Sequence, residues 1–222
     1  MARPKALLSW SSGKDSAFAL AEVRRDSDIE IAGLLTTVTR IYDRVAMHGV
    51  RRELLVRQAE ATGLPLRPIE LPTPCSNREY EAALSAALAR ARTDGITHVV
   101  FGDLFLEDIR AYREQQLAAL GLTCVFPLWG RETGQLARDM VASGLRAKLA
   151  CIDPRHLDRS FAGRTYDASL LADLPAAVDP CGERGEFHTF ATHGTMFSTP
   201  IEVSVGEIVD RDGFVFADLV AL

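Results

Sequence analysis

The sequence lacks paired cysteines, long apolar runs and an excess of basic residues. Its four cysteines are scattered without a C-x-x-C pair, which argues against a zinc ribbon or a dithiol site. No apolar run approaches membrane length, and we expect no signal peptide. The formal net charge of −5 argues against a large nucleic-acid surface. These absences predict a cytoplasmic protein with reduced thiols and neither a membrane nor a nucleic-acid partner.

The composition is that of a soluble globular protein. Of its 222 residues, 47% are hydrophobic and 25% are charged. A chain of this length can form one large domain or two small ones, and it can bury a substantial core.

The residues after the first apolar run form a small polar turn around a glycine. Leu7 and Leu8 belong to a run typical of a buried strand, and an amphipathic segment with Ala17 and Leu20 follows the turn. A strand, a tight turn and a helix N-terminus leave N–H groups unpaired and favour a bound phosphate. A turn without a ligand is the weaker alternative. The candidate phosphate loop consists of Ser11, Ser12, Gly13, Lys14, Asp15 and Ser16.

This loop differs from the Walker phosphate loop. That pattern needs Ser or Thr after its lysine, whereas Asp15 follows Lys14 in this chain. It also needs a glycine five residues before Gly13, and this chain has none there. The loop instead resembles the S-G-G-x-D-S loop of the PP-loop ATP pyrophosphatases, which hold the pyrophosphate end of ATP. Ser12 stands where that pattern has its first glycine. If the position needs a positive φ, serine costs ~1 kcal/mol or more.

Strands alternate with helices over the first part of the chain. The predicted strands cover residues 5–10, 29–38, 66–71, 96–101 and 123–126, with helical periodicity between them. This alternation predicts an α/β fold, a Rossmann-like parallel sheet of about five strands with helices on both faces. The pattern changes after Trp129. We therefore expect a nucleotide-binding domain over 1–127 and a smaller α+β unit over 128–222, the latter ending in a hairpin around Asp212-Gly213.

Small and polar residues follow several of these strands. The phosphate loop follows the first strand, Thr36 ends the second, and Gly102 and Asp103 follow the fourth. Ligands of open parallel sheets bind beyond the carboxyl ends of the strands. The convergence therefore predicts a nucleotide at this edge. Residues 38–49 form a connection that is either a lid over the nucleotide or an ordinary surface loop.

A second cluster of chemically capable residues lies in the stretch 182–189. Glu183 and Glu186 can bind a cation or act as general bases, and His188 can carry a proton. Gly182 and Gly185 are typical of backbone close to a ligand. From these residues alone, an exposed loop with solvated charges explains the pattern equally well.

Both clusters together resemble the diphthine–ammonia ligase family of PP-loop ATPases. That family pairs its nucleotide loop with a G-E-x-G-E-F-x-T signature, which this chain carries at residues 182–189 with Arg184 in the variable position. The stretches 102–108, 110–114 and 126–130 and the pair His48-Gly49 are also similar, so the resemblance covers nearly the whole chain. The departure in the loop is Ser12.

The resemblance implies an ATP-dependent ligase that forms AMP. ATP activates a carboxylate as an acyl-adenylate and releases pyrophosphate, and ammonia then forms the amide and releases AMP. Mg²⁺ assists departure of the pyrophosphate. In eukaryotic and archaeal members the carboxylate belongs to diphthine, a modified histidine on an elongation factor. A small carboxylate is the alternative acceptor. The sequence leaves the acceptor, the nitrogen source and a homo-oligomeric state open.

The resemblance also implies roles for individual residues. Besides Ser11–Ser16, ATP would be bound by Thr36, His48, Gly102 and Asp103, with Asp15 and Asp103 as candidate Mg²⁺ ligands. The implied catalytic residues are Lys14, Asp15, Glu183, Glu186 and His188. The implied substrate-binding residues are Arg110, Trp129, Glu183, Gly185, Glu186 and Thr189. From the residues alone, His48 is more typical of a helix entry and Arg110 of a solvated helix face.

Two other functions fit parts of the pattern. A tRNA-modifying PP-loop enzyme would need a basic surface and often cysteines for sulfur transfer, and both the net charge and the scattered cysteines oppose it. A nucleotide-sensing module without turnover would need no catalytic groups. Intact Lys14, Asp15, Glu183 and Glu186 argue against the sensing module.

Overall fold

The structure is a computed structural model that describes residues 3–222, and it contains two β-sheets. The first sheet contains β1 (Lys5–Ser9), β2 (Glu30–Thr39), β3 (Arg44–Val45), β4 (Leu66–Leu71), β5 (His98–Val100) and β6 (Thr123–Val125). Five strands run parallel in the order β4-β2-β1-β5-β6. The predicted Rossmann-like parallel sheet is confirmed.

The sixth strand, β3, was not expected and comes from the connection 38–49. It pairs antiparallel with the end of β2, matching Val38 with Val45 and Thr39 with Arg44. β1 pairs with the earlier part of β2, up to Leu35, and β4 covers the opposite edge. β3 therefore continues the sheet beyond the carboxyl end of β1, so the connection is held close to the phosphate loop.

Helices cover both faces of the first sheet. They are α1 (Lys14–Asp26), α2 (Arg52–Thr62), α3 (Asn77–Thr93) and α4 (Glu107–Ala118). Side chains alternate along β1, so Ala6 and Leu8 pack in the core that contains α1 and α2, whereas Leu7 packs in the core that contains α3 and α4. Because both faces of the sheet are covered, the centre of β1 is a continuous apolar run, Ala6-Leu7-Leu8.

The second sheet is entirely antiparallel. It contains β7 (Arg146–Ile152), β8 (Thr165–Tyr166), β9 (Phe187–His193), β10 (Val203–Arg211) and β11 (Phe214–Ala221), together with α5 (Thr133–Ala142), α6 (Ala168–Asp173) and a short 3-10 turn at Arg159–Phe161. β10 and β11 form the predicted hairpin around Asp212 and Gly213. The apolar residues of this sheet share one continuous core with α1 and α2.

Strand β9 was not predicted. An exposed loop was one of the two interpretations left open for residues 182–189, yet Phe187–His193 pairs along β7, and Phe190 and Ala191 are fully buried. The strand also contacts α1. The C-terminal signature therefore joins a turn to a buried strand that packs against α1.

No helix in the part of the chain that the structure describes is both long and apolar enough to span a bilayer.

Candidate active site

The phosphate loop has the conformation that the sequence suggested. β1 ends at Ser9, α1 begins at Lys14, and Gly13 caps the helix in an extended conformation. The hydroxyl of Ser16 donates to the Gly13 carbonyl at 3.0 Å, and the Oγ of Ser11 lies 3.3 Å from that of Ser16. The loop thus places two hydroxyls and a helix N-terminus together, which suits an anion.

A buried glutamine and strand β9 support the loop from behind. The N–H of Ala191 donates to the Ser12 carbonyl at 2.9 Å, and the Gln58 amide donates to the same carbonyl at 3.0 Å and to the Ala191 carbonyl at 2.6 Å. Trp10 Nε1 donates to Gln58 Oε1 at 2.9 Å. Sequence reasoning missed Gln58, although a lone amide on the apolar face of a helix was a usable signal.

Ser12 carries the strain that its position in the loop suggested. Its φ is 69°, in the left-handed region, and its buried Oγ has no hydrogen-bond partner among the described residues. Both features destabilise the folded chain, since a β-carbon disfavours this conformation and an unpaired buried hydroxyl loses its water.

We expect Ser12→Gly to raise the free energy of unfolding by ~1 kcal/mol, because glycine removes both the strain and the hydroxyl. Ser12→Ala removes only the hydroxyl, so it should gain less than Ser12→Gly. Urea denaturation of the three proteins checks this order. Equal gains for the two variants would assign the whole cost to the hydroxyl.

Lys14 is buried inside the site. Its side chain is 2% exposed, and Nζ donates to both carboxylate oxygens of Asp15, at 3.0 and 2.8 Å, and to the Cys181 carbonyl. The same nitrogen lies 5.4 Å from the centre of the Tyr166 ring and 5.3 Å from that of Phe187. The second sheet therefore provides most of the environment of the loop lysine.

Lys14 and Asp15 form a buried ion pair. Burial opposes the Lys14 ammonium, but Asp15, Cys181 and Glu183 together outweigh burial and raise the pKa of Lys14. Burial also raises the pKa of Asp15, against the attraction of Lys14. A charged ammonium at the start of α1 adds to the positive potential of the helix N-terminus.

A cavity of about 360 Å³ opens at the carboxyl edge of the first sheet and reaches the second sheet. Its volume lies within the roughly 300–1,000 Å³ of small-molecule sites. It is lined by eleven of the predicted site residues: Ser11, Lys14, Asp15, Ser16, Thr36, His48, Gly102, Asp103, Glu183, His188 and Thr189. Chain segments far apart in sequence therefore meet here.

Close backbone packing joins β5 to the phosphate loop. A β-carbon on Gly102 would lie 2.9 Å from the Asp15 carbonyl carbon and from the Ser16 nitrogen. Thr36 donates from Oγ1 to the Trp10 carbonyl at 2.8 Å. The strand ends therefore hold the loop as tightly as β9 does.

Thr189 joins the loop to the C-terminal signature. Its Oγ1 accepts from the N–H of Lys14 at 3.0 Å, and its carbonyl lies 3.0 Å from Nδ1 of His48. A neutral His48 therefore donates through Nδ1–H, which leaves Nε2 as an acceptor. The rings of His48 and His188 lie 4.7 Å apart.

Both histidines of this pair are uncharged at neutral pH. Burial, together with the nearby His188, lowers the pKa of His48 to about 3. Burial, with the ammonium of Lys14, lowers the pKa of His188 to about 4. Neutral imidazoles at the cavity wall can accept hydrogen bonds through their unprotonated nitrogens.

Glu183 is a cavity residue whose pKa lies close to neutral pH. Its Oε1 accepts from the N–H of Leu104 at 2.8 Å. Burial nevertheless raises its pKa to about 7. A carboxylate with this pKa can accept or release a proton near neutrality, as general acid–base catalysis requires.

We expect Glu183→Gln to stabilise the protein at alkaline pH only. The folded pKa lies above the ordinary 4.5, so the folded chain binds this proton more tightly than the unfolded chain, and wild-type stability falls as pH rises through that window. The variant should gain on the order of 1–2 kcal/mol above pH 7 and almost nothing below pH 4.5.

Urea denaturation across this pH range measures the difference, with the exposed Glu207→Gln as the matched control. A gain that does not change with pH would contradict the raised pKa.

Glu186 lies outside the cavity. It is 1% exposed, and its two carboxylate oxygens accept from the N–H groups of Asp179 and Arg184, each at 3.0 Å. The turn 179–186 thus closes on this side chain. Gly185, with φ of 88°, belongs to the same turn. The predicted catalytic and substrate-binding roles of Glu186 remain untested, and its contacts are those of a loop-holding residue.

Arg110 and Trp129 also lie outside the cavity, where they stack on one another. The guanidinium of Arg110 is 4.7 Å from the Trp129 ring centre and 5.0 Å from that of Phe126, and Nε is 2.8 Å from Glu114. Their predicted contact with substrate is not made within the cavity. Ser12 and Gly13 are not part of its lining either, since they form the back of the loop.

The two candidate metal ligands are each paired with a cation. Asp15 pairs with Lys14, and Arg113 places Nε 2.6 Å from Asp103 Oδ2. Sequence reasoning missed Arg113. Within residues 3–222, no cluster of three histidine, cysteine or acidic side chains could hold a metal by itself.

The fold defines an α/β protein with a PP-loop-like Rossmann sheet and a smaller C-terminal unit. Comparison with known families agrees: the model of the diphthamide synthase N-terminal domain matches residues 4–124, and that of the C-terminal domain matches residues 132–217. The chain belongs to the diphthamide synthase family, which confirms the resemblance found in the sequence.

Curated relatives cover almost the whole chain. It is 27% identical to a diphthine–ammonia ligase of Rattus norvegicus, over 96% of this chain and 87% of the relative. It is also 27% identical to that of Danio rerio, over 93% and 89%, and 24% identical to that of Homo sapiens, over 96% and 87%. These relatives are ligases named for diphthine and ammonia.

Proposed function

We propose that this chain is an ATP-dependent amide ligase that forms AMP and pyrophosphate. A carboxylate oxygen would attack the α-phosphorus of ATP, and the bond to the β-phosphate oxygen would break. The nitrogen of ammonia would then attack the activated carbonyl carbon, and AMP would leave. The observation that carries this proposal is the single cavity in which the phosphate loop, Lys14, Glu183 and His188 meet.

The residues of the cavity fit the parts of ATP. The hydroxyls of Ser11 and Ser16, the start of α1 and the ammonium of Lys14 would hold the phosphates that leave as pyrophosphate. One apolar cluster also lines the cavity and would take the adenine ring, through Ile69, Tyr80, Leu84, Leu88, Phe101 and Leu117. A side chain at position 102 would collide with the backbone of Asp15 and Ser16 in the phosphate loop, so Gly102 is needed for this close packing.

Mg²⁺ fits this site as a companion of the phosphates. Asp15 is 26% exposed at the cavity, and Mg²⁺ is usually held by one or two carboxylates together with substrate phosphates and water. Asp15 and Asp103, which both line the cavity, would supply the protein ligands. The ion would neutralise charge on the departing pyrophosphate.

Glu183 and His188 would act on the ammonia that attacks the activated carbonyl carbon. Ammonium must lose a proton before nitrogen can attack, and Glu183, with its pKa of about 7, can accept it. His188, neutral because its pKa is about 4, would accept a hydrogen bond from the ammonia through its unprotonated ring nitrogen. We assign these two residues, with Lys14 and Asp15, to the reaction.

We further propose that residues 1–127 form the ATP-binding domain and residues 128–222 the substrate domain, which completes the site through Cys181, Glu183 and Thr189. All four cysteines are free thiols, which suits the cytoplasm. The acceptor is a carboxylate, either small or carried by a protein. Diphthine, for which the relatives are named, is the first acceptor to test.

The test is release of AMP and pyrophosphate from ATP and Mg²⁺ with ammonium present. The panel of acceptors includes small carboxylates and a diphthine-bearing elongation factor, with Asp15→Ala as the inactive control. Acceptor-dependent AMP that disappears in the variant supports the proposal. Formation of ADP and phosphate would refute adenylation, and bound ATP without turnover on any acceptor would favour a sensing module.

A further inference from the structure

Arg113 is a cation of the cavity to which the proposed function gives no role. It lies on α4 and lines the cavity, and its side chain is 26% exposed. Among the described residues that line this cavity, Lys14 is the other side chain with a positive charge at neutral pH, since both histidines are neutral. Lys14 belongs to the phosphate loop, so Arg113 is available for another part of the nucleotide.

The guanidinium of Arg113 lies between an aromatic ring and a carboxylate. Its Cζ is 4.4 Å from the ring centre of Phe101, and Nη2 donates to Asp103 Oδ1 at 3.1 Å. Nε and Asp103 Oδ2 are 2.6 Å apart, but both atoms are buried and neither has an aligned hydrogen bond within residues 3–222. Because a guanidinium has five N–H donors, its single aligned hydrogen bond to Asp103 leaves donors for a ligand.

Arg113 lies between the two ends of the proposed nucleotide. Phe101, on which the guanidinium stacks, belongs to the apolar cluster that would take the adenine ring. Gly102, the next residue, packs against Asp15 and Ser16 of the phosphate loop. With adenine at the cluster and the departing pyrophosphate at the loop, the ribose and the α-phosphate must span the space between them. The guanidinium is therefore beside the middle of the nucleotide.

We propose that Arg113 binds the α-phosphate of the nucleotide, which is the phosphate that stays on AMP. The planar guanidinium can donate two parallel hydrogen bonds to phosphate oxygens, and such charge-assisted pairs are stronger than neutral hydrogen bonds. Lys14 and the start of α1 would hold the phosphates that leave, whereas Arg113 would hold the phosphate that is attacked. The inference rests on the proposed ligase function and deepens it by dividing the nucleotide between two cations.

Binding of the separate parts of ATP tests this division. We would titrate the full chain with adenosine, AMP and pyrophosphate by isothermal calorimetry, with EDTA present so that no Mg²⁺ contributes. Arg113→Gln should weaken AMP binding about 10- to 100-fold, the range expected when hydrogen bonds to a charged group are lost, and should change adenosine and pyrophosphate binding by less than about twofold. Retained pyrophosphate binding also shows that the variant is folded.

Arg164→Gln is the matched control. Arg164 also stacks on a ring, 4.9 Å from the centre of Phe161, and pairs with Asp173 at 2.5 Å, but it lies outside the lining of the cavity. The control variant should bind all three ligands as wild type does. In Arg113→Gln, an equal loss of adenosine and AMP binding would place Arg113 on the ribose or the adenine and overturn the phosphate contact.

Asp103→Asn separates a direct contact from a positioning role. If Arg113 binds the phosphate, replacing the neighbouring carboxylate removes a like charge and frees the guanidinium. AMP should then bind as tightly as in wild type or more tightly. If Arg113 acts only by holding Asp103, the Asn variant should lose AMP affinity as Arg113→Gln does, and that result would overturn the inference.

The behaviour of wild type separates this inference from the proposed function. If wild type binds ATP and AMP, and Arg113→Gln binds them equally well, only the assignment of Arg113 fails. If wild type binds neither nucleotide and forms no AMP with any acceptor, the proposed function fails and the inference fails with it.

Discussion

Replacing Lys14 with methionine is expected to lower AMP formation by about 100- to 1,000-fold, the range seen when a buried charge-stabilising donor is removed from an active site. Methionine keeps much of the bulk between Tyr166 and Phe187 but removes the ammonium that would hold the departing phosphates. Asp15 would also lose the cation 2.8 Å from its carboxylate. We therefore expect a second effect, a loss of ~2 kcal/mol in the free energy of unfolding.

Lys148→Met is the matched control, because Lys148 is partly buried and donates to Thr165 Oγ1 at 3.0 Å in the second sheet. It lies outside the lining of the cavity. Its AMP formation should stay within about twofold of wild type, since only one net hydrogen bond of ~1 kcal/mol is lost. Wild-type turnover in Lys14→Met, measured by AMP release, would remove Lys14 from the mechanism.

The second large effect is expected for Gly102→Ala. The new β-carbon would lie 2.9 Å from backbone atoms of Asp15 and Ser16, and backbone cannot rotate away as a side chain can. The start of α1 must therefore move away from β5. We expect ATP to bind more than tenfold more weakly and the free energy of unfolding to fall by ~2–3 kcal/mol.

Isothermal titration with ATP and Mg²⁺, together with urea denaturation, measures both effects. Gly134→Ala serves as the control, because the nearest atoms to its β-carbon would be side-chain atoms, Oε1 of Glu132 at 2.9 Å and Nη1 of Arg138 at 3.5 Å. The Glu132 carboxylate can move away, so the free energy of unfolding should change by less than ~1 kcal/mol. Unchanged ATP affinity in Gly102→Ala would show that the loop tolerates displacement.

The two variants test different origins of the same site. Lys14 acts through charge, and its environment comes from Cys181, Tyr166 and Phe187 in the second half of the chain. Gly102 acts through the absence of a side chain, which allows two backbone segments of the first half to touch. The proposed nucleotide site would need both the charge of Lys14 and the close packing at Gly102, because the phosphate loop lies between the first sheet and β9.

The α/β fold of the first half was predictable because its signals are local. The apolar runs of β1 and β5, the helical periodicity of α3 and the small residues of the phosphate loop each lie within a few consecutive positions. The positive φ of Ser12 was anticipated from the place of a glycine in a related loop. Local chemistry was also enough to nominate Glu183 and His188, although it could not separate them from Glu186.

The remaining features depend on contacts between distant residues. Strand β9 follows a glycine-rich turn, and it forms because β7 offers its edge and Ser12 accepts from Ala191. Burial decides which carboxylate of the signature is available: Glu186 is used by two backbone N–H groups, while Glu183 faces the cavity. The motifs could be recognised from the sequence alone. The exposure and the pKa of each site residue could not, because they depend on long-range hydrogen bonds and on desolvation. Both arise only when the second sheet packs against the phosphate loop.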